Sequence, residues 1–340
     1  MNNNKKQSPI VIYRLGSIGD TIVSLPFFHK INKVFPNTVI LVLTNIPVSS
    51  KAAPLEAILR PAGLINGVIE YTVGIRSIKE ILRLRSSIKQ IGSNTLLYLA
   101  ASRGRFVVLR DWLFFKFCGF NRILGIPLTT DSLNNRIDPV NGLIEPEVER
   151  LARTLACFGA IDLNDPLNWD LRLSDDEVRA ASDALYLLCK KPFFVINMGG
   201  KEEIKDWGLQ NWHELIGLLL PLLQDTALVV VGGADDSPRA ADLLDLWSSG
   251  GVNLCGLLSP RESAAVLAQA KFFVGHDSGP LHLAAAVQTP CVGIFGNHNP
   301  PKKWHPYGKK VRVIHDMRGV HEINPQQVVD EILAVLKVTS

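Results

Sequence analysis

KFFVGHDSGPLHLAAAVQTPCVGIFG, residues 271–296, holds two apolar runs of strand length separated by a polar loop and a segment with helical spacing. The first run ends at Gly275, a helix starts near Ser278–Gly279, and PCVGIFG (290–296) is a second strand. A strand that leads through a short loop into a helix and out into another unbroken apolar strand is the unit of a parallel sheet covered on both faces. Upstream the alternation repeats. FFVINMGG (193–200) is a strand entering a glycine loop, NWHELIGLLLPLL (211–223) a helix, ALVVVGGADD (227–236) a strand with a glycine turn, and SPRAADLLDLW (237–247) a helix. SPRESAAVLAQA (259–270) is a further helix opening on Ser259 and Pro260.

The first half of the chain carries the same pattern. In PIVIYRLGSIGDTIVSLPFFHKINKVFP (9–36), Ile10–Tyr13 reads as a strand, Gly16 and Gly19 as a loop, and Thr21–Val34 as a helix. TVILVLTN, VIEYTV and TLLYLAA follow as strands, with a basic helix over Ser77–Gln90. RFVVLRDWLFFKFCGF (105–120) and PEVERLARTLACFG (146–159) are helix candidates. Ser174 with Glu177 three residues on is a capping box. The expected fold class is α/β. Two βα-alternating halves join near Lys190–Pro192, giving domains over 1–190 and 191–323. The C-terminal helix, 324–338, is a candidate to pack back on the first domain.

A chain of 340 residues is too long for one ordinary core and fits two domains. With 47% hydrophobic and 20% charged residues, general disorder is excluded. Five scattered cysteines make no CxxC pair, which argues against a disulfide framework and a cysteine zinc site. Met1–Pro9 is polar, no secretory signal is read, and no long uncharged apolar run suggests a membrane span. The expected location is cytoplasmic. The net charge of +4 hides a split: residues 1–136 carry 18 Lys and Arg against 6 Asp and Glu, and the remainder 18 against 26. A basic half of +12 fits an anionic partner such as a phosphorylated acceptor, a membrane surface or nucleic acid. No recognised nucleic-acid motif accompanies the charge, so nucleic acid is not expected.

Four stretches could carry chemistry. At Asp277, Ser278 and Gly279 the amides of a helix start form an anion site suited to a diphosphate, unless Asp277 or Ser278 simply caps the helix. Ser278 and His282 do not make a hydrolase, because GHDSG is not G-x-S-x-G. RLGSIGD (14–20) lacks G-x-G-x-x-G, which disfavours a dinucleotide-binding dehydrogenase. It puts Asp20 at a helix start, either as a cap or as a carboxylate where ligands bind α/β sheets. NMGGKEEIKDWGLQNWHEL (197–215) carries Lys201 and Lys205 beside a glycine loop, where a lysine can neutralise a leaving phosphate. In VVVGGADD (229–236), Gly233 is followed by Asp235 and Asp236, which either bond a ribose or cap the next helix. The eight histidines are dispersed, and no metal or cofactor is expected.

In this order the stretches resemble the bacterial heptosyltransferases of lipopolysaccharide core synthesis, glycosyltransferase family 9. RLGSIGDTIVSLP is similar to that family's first strand-loop-helix, and VGHDSGPLHLAAAVQTPCVGIFG to its nucleotide-binding signature. KDWGLQNWHEL and VVVGGADD fall between them, and VERLARTLACFGA resembles the helix before the interdomain link. The resemblance implies a GT-B fold, with two Rossmann-like βα domains facing each other across a cleft. It also implies an inverting, metal-independent transfer of heptose from ADP-heptose to a lipopolysaccharide inner-core acceptor.

By the same resemblance Asp20 is the catalytic base and Lys205 contacts the donor phosphates. Asp277, Ser278 and Gly279, with His282, form the diphosphate and sugar loop, while Gly233 with Asp235 or Asp236 serves the nucleoside. A different nucleotide-sugar, or a non-catalytic homologue, is the alternative. Two departures from the family pattern stand out: Asn297-His298-Asn299-Pro300 replaces a Pro-Thr-like loop at the donor end, and Leu99–Arg105 lacks an acidic residue on the acceptor side. Arg76, Arg83, Arg103 and Arg105 are the expected contacts to an anionic glycolipid, unless they are merely solvated. The aromatic run Trp112, Phe114, Phe115, Phe117 and Phe120 either packs inward or adds peripheral contact with the inner membrane.

Overall fold

The computed structural model describes residues 8–46, 53–72, 77–101, 103–200 and 202–337. It divides into two compact units, Met1–Leu163 and Asn164–Ser340. In unit 1 the described strands are β1 (Ile10–Tyr13), β2 (Ile40–Ile46), β3 (Gly67–Thr72), β4 (Thr95–Tyr98) and β5 (Arg122–Leu124). All pair in parallel, in the order β3-β2-β1-β4-β5, with Ile10 opposite both Ile40 and Thr95. β1 is central and wholly buried, as its unbroken apolar sequence requires.

Unit 2 contains β6 (Phe193–Asn197), β7 (Ala227–Val230), β8 (Gly251–Asn253), β9 (Phe273–His276), β10 (Cys291–Phe295) and β11 (Val311–His315). Their order, β8-β7-β6-β9-β10-β11, is the 3-2-1-4-5-6 arrangement of a Rossmann sheet, again all parallel. In each unit the order reverses beside the first strand, between β1 and β4 or between β6 and β9. Ligands of open α/β sheets bind at such a switch point, outside the carboxyl ends of the strands.

The structure corrects several expectations. The helix read over Thr21–Val34 is two helices, Ile18–Val23 and Leu25–Val34. Pro26 has no N–H to continue the ladder, and the Ser24 hydroxyl donates to the Thr21 carbonyl at 2.8 Å at the break. The edge strands β5, β8 and β11 were not anticipated, because edge strands need no continuous apolar run and these are only partly buried.

The division between units also falls earlier than the link expected at 190–192. The helix Asp175–Ala184 is fastened to the helix Pro260–Leu267 by buried Arg261. That guanidinium bonds Glu177 at 2.5 and 2.8 Å and the carbonyls of Leu171 and Arg172 at 2.7 and 2.8 Å. The helix Pro325–Lys337 inserts Val328, Val329, Ile332 and Val335 into the core of unit 2, beside Trp212 and Ile216. Its apolar face is thus covered within unit 2. No helix among the described residues is long and apolar enough to cross a membrane.

Arg261→Ala would leave Glu177 half-buried and two carbonyls without their donor. It should cost about 2–3 kcal/mol of stability, read by urea unfolding. A change below about 0.5 kcal/mol would contradict this account of the boundary.

Candidate functional site

At the switch point of unit 2, Asn197 ends β6 and the loop Asp277–Gly279 follows β9. The strands meet closely there: a Cβ on Gly275 would lie 2.6 Å from the Phe273 ring and 3.2 Å from the Asn197 carbonyl. The Ser278 hydroxyl donates to Asn197 Oδ1 at 2.9 Å, and Asn197 Nδ2 donates to the Val231 carbonyl at 2.9 Å. Asp277 Oδ2 accepts from Lys205 Nζ at 2.9 Å and from Asn299 Nδ2 at 2.8 Å. Both candidate caps are therefore committed elsewhere, and the helix Gly279–Ala286 carries no side-chain cap. Pro280 has no N–H, so the amides of Gly279 and Leu281 are the uncapped donors at its start. With the helix dipole they make a site for an anion.

Lys205 is positioned by its neighbours. Asp206 holds Arg239 at 2.8 and 3.0 Å and accepts the Gly208 amide at 3.0 Å. The Trp207 amide donates to His276 Nε2 at 3.1 Å, and its indole N–H to the Ile323 carbonyl at 2.8 Å. Trp207 and Trp212 are both fully buried. The loop bearing the lysine is thus tied to β9 one residue before Asp277. Lys201 lies outside the described residues.

Asp236 is clasped under the glycine loops. Its Oδ2 accepts the Gly233 amide at 2.8 Å, and Cβ atoms on Gly199 and Gly232 would fall 2.1 and 2.5 Å from that oxygen. Asp235, its neighbour, is exposed. His282 is buried on the helix after the loop. His305 Nε2 and His315 Nδ1 lie 2.8 Å apart, and burial draws His305 down to about 4.

At the switch point of unit 1 stands Arg14, fully buried. It donates to the Leu99 carbonyl at 2.8 Å and to the Asp20 carbonyl, and lies 3.7 Å from Asp20 Oδ1. Burial lowers its pKa. Asp20 closes a capping box: its Oδ2 accepts the Ser17 amide at 2.8 Å and the Ser17 hydroxyl at 3.2 Å. The cap read from the sequence at Asp20 is thus present.

The basic residues separate. Arg103 is drawn into an internal network, donating to Asp111 at 2.7 Å and to the Tyr13 hydroxyl at 2.8 Å, while Tyr98 donates to the same carboxylate at 3.0 Å. Desolvation raises the Tyr13, Tyr71 and Tyr98 hydroxyls, keeping them protonated. Arg105 reaches the Thr130 hydroxyl, Arg83 is exposed, and Arg76 lies outside the described residues. Sequence reasoning missed Arg14, Asn197 and Asn299. Arg14 and Asn299 lay inside stretches already quoted, and a polar residue ending a buried apolar strand was the available signal for Asn197.

A family model described as glycosyltransferase family 9 (heptosyltransferase) matches residues 129–331. Lipopolysaccharide heptosyltransferase 2 of Escherichia coli is 27% identical over 202 residues, covering 52% of this chain and 56% of that protein. Lipopolysaccharide heptosyltransferase 1 of Salmonella typhimurium is 33% identical over 112 residues, 32% of this chain and 33% of that one. The chain spans about half the length of the first curated relatives it matches.

Among solved structures, a family 9 glycosyl transferase from Veillonella parvula aligns with TM-score 0.73 at 16% identity, over 98% of both chains. E. coli ADP-heptose lipopolysaccharide heptosyltransferase II aligns with TM-score 0.68 at 19% identity, over 97% of this chain and 99% of that one. E. coli heptosyltransferase WaaC with ADP gives 0.64 at 18%, over 96% and 99%. These likenesses establish the fold: two Rossmann-like domains of the GT-B class.

Gly16 sits at φ +113°, and a Cβ there would lie 2.4 Å from the Asp20 carboxyl group. Gly16→Ala should cost about 1–3 kcal/mol in thermal unfolding; an unchanged melting temperature would contradict this loop geometry. Burial pulls His276 from 6.5 to about 4. The unfolded chain binds that proton near 6.5 and the folded chain only near 4, so stability from this site, intact above 6.5, is lost as the pH falls toward 4. His276→Gln should flatten the melting-temperature profile in that window, and a profile as steep as the parent's would refute the assignment.

Proposed function

The chain belongs to glycosyltransferase family 9, and on that footing we propose that it transfers heptose from ADP-heptose to a lipopolysaccharide inner-core acceptor, inverting the anomeric centre without a metal. The observation that carries the reading is the uncapped helix start at Gly279 beside Lys205, a cradle for a leaving diphosphate.

In this mechanism the acceptor hydroxyl attacks the anomeric carbon on the face opposite the nucleotide. The new glycosidic bond forms as the carbon–oxygen bond to the diphosphate breaks, and the bonding electrons leave with the diphosphate. The hydroxyl proton passes to Asp20. Since Asp20 Oδ2 is held by the Ser17 amide, Oδ1 is the oxygen assigned to take it. Charge growing on the diphosphate is met by the Gly279 and Leu281 amides and by Lys205, each donor contributing about 3–4 kcal/mol when well placed. Asp277 would repel a diphosphate if it stood alone. Lys205 at 2.9 Å offsets its charge and the Asn299 amide donates to it at 2.8 Å, so it can accept hydrogen bonds from sugar hydroxyls. Asp235, beside Gly233, is the proposed ribose contact, and Asp236 supports the turn that presents it. His282 stands behind the loop, within the electrostatic reach of His305.

Unit 1, with its basic excess, is proposed as the acceptor side. Arg83 and Arg105 are available for acceptor phosphates, and Arg76 is retained from the sequence. Arg103 is instead committed to Asp111 and Tyr13. A lipid-borne acceptor would hold the enzyme at the cytoplasmic face of the inner membrane as a peripheral protein. A second reading, transfer from another nucleotide-sugar, is favoured by one observation: Asn299, from the loop that departs from the family pattern, bonds Asp277 directly.

Incubation with a heptose-free acceptor and ADP-heptose, UDP-hexose or GDP-hexose, read by mass spectrometry, tests both readings. Addition of one heptose only from ADP-heptose is expected, and addition only from another donor would select the second reading. Asp20→Asn keeps an oxygen for the Ser17 amide and should lower kcat by about 10²–10⁴-fold, with ADP affinity within about twofold. Near-normal turnover would remove Asp20 as the base.

A further inference from the structure

The helix Arg105–Cys118 buries Val108, Asp111, Phe115 and Cys118 and turns a second apolar stripe outward. Phe106, Leu109, Leu113 and Phe117 are 88%, 50%, 55% and 47% exposed. At about 100° per residue these four fall within an arc of about 80°. Arg105 and Lys116 border one edge of that arc and Arg110 the other. Asp111, the helix's one acidic residue, points inward and is neutralised by Arg103 and Arg110 at 2.7 and 2.9 Å.

The neighbouring helix Ile78–Ile91 extends the surface. Ile78 and Leu82 are exposed, and Arg85 and Lys89 share their face. The Arg85 guanidinium lies 4.5 Å from the centroid of the Phe117 ring, joining the two faces. The aromatic run read from the sequence is therefore split. Phe115 and Phe120 belong to the core, and Phe117 belongs to a stripe that also takes in Phe106, Leu109 and Leu113.

We propose that this two-helix face docks on an anionic lipid bilayer: Phe106, Leu109, Leu113 and Phe117 enter the interface while Arg85, Lys89, Arg110 and Lys116 meet lipid phosphates. The stripe is narrow and apolar, and long basic side chains flank it on both sides. That pattern places stems along the acyl boundary and charges at the headgroups. Each exposed cation near such a surface adds to attraction that salt screens. A second copy of the chain is disfavoured as occupant, because two such faces would bring like charges together. The inference rests on the reading of a membrane-borne acceptor for its biological sense, but its test uses neither donor nor acceptor, so failure of one leaves the other standing.

The test is co-sedimentation of the full chain with vesicles of phosphatidylglycerol and phosphatidylethanolamine, against phosphatidylcholine alone, at low and high salt. Binding to the anionic vesicles that weakens with salt is expected. Phe106→Ser combined with Leu113→Ser should weaken it by at least about tenfold with an unchanged melting temperature. Lys89→Glu combined with Lys116→Glu should abolish the preference for anionic lipid. The proposal is overturned if the parent chain fails to bind anionic vesicles at low salt, or if both double variants bind as the parent does. It is also overturned if the parent self-associates without lipid and Phe106→Ser with Leu113→Ser makes it monomeric.

Discussion

One hydrogen bond organises unit 2: the Ser278 hydroxyl on Asn197 Oδ1, across the point where the strand order reverses. It links the ends of β6 and β9, and it withdraws the residue that would otherwise cap the helix Gly279–Ala286. Asp277, the other natural cap, is withdrawn by Lys205 and Asn299. A helix start whose caps are both engaged elsewhere keeps its amides for a ligand, and the fold bears the cost of leaving them uncapped until one arrives.

Unit 1 solves a different problem at the equivalent point. There a carboxylate, proposed as the base, is held on one oxygen and left open on the other. Asp20 gives one oxygen to its own capping box and leaves the other near Arg14, whose guanidinium is fixed on the Leu99 carbonyl at the end of β4. Gly16 lacks the Cβ that would fill the space the carboxylate occupies. The same parallel topology thus yields an anion cradle in one unit and a braced carboxylate in the other. The difference lies in the loop after each strand, which supplies a serine drawn sideways in unit 2 and an aspartate in the third helical position in unit 1.

Much of this was legible in the sequence because parallel strands and helix starts have local signatures. The unbroken runs at 193–197 and 291–295, the capping box at Ser174 and the helix opening on Ser259 appear where the spacing puts them. What stayed hidden was long-range. Asn197 meets a serine 81 residues away, and Arg261 meets a glutamate 84 residues away. No local period encodes such a pair, so neither the clasp at the switch point nor the true edge of unit 2 could be read from spacing. Glycines at 199 and 232 were read as turn markers, whereas the structure uses them to admit the Asp236 carboxylate. The charge split survived as a broad feature, but its parts diverge, with Arg103 turned inward and Arg85 and Lys116 outward.

The most direct test of the central claim is amide NMR of the ¹⁵N-labelled chain titrated with ADP. If the uncapped helix start is the diphosphate cradle, the Gly279 and Leu281 amide resonances shift saturably with ADP and stay in place with adenosine. Saturable binding of ADP that leaves both amides unmoved would contradict it.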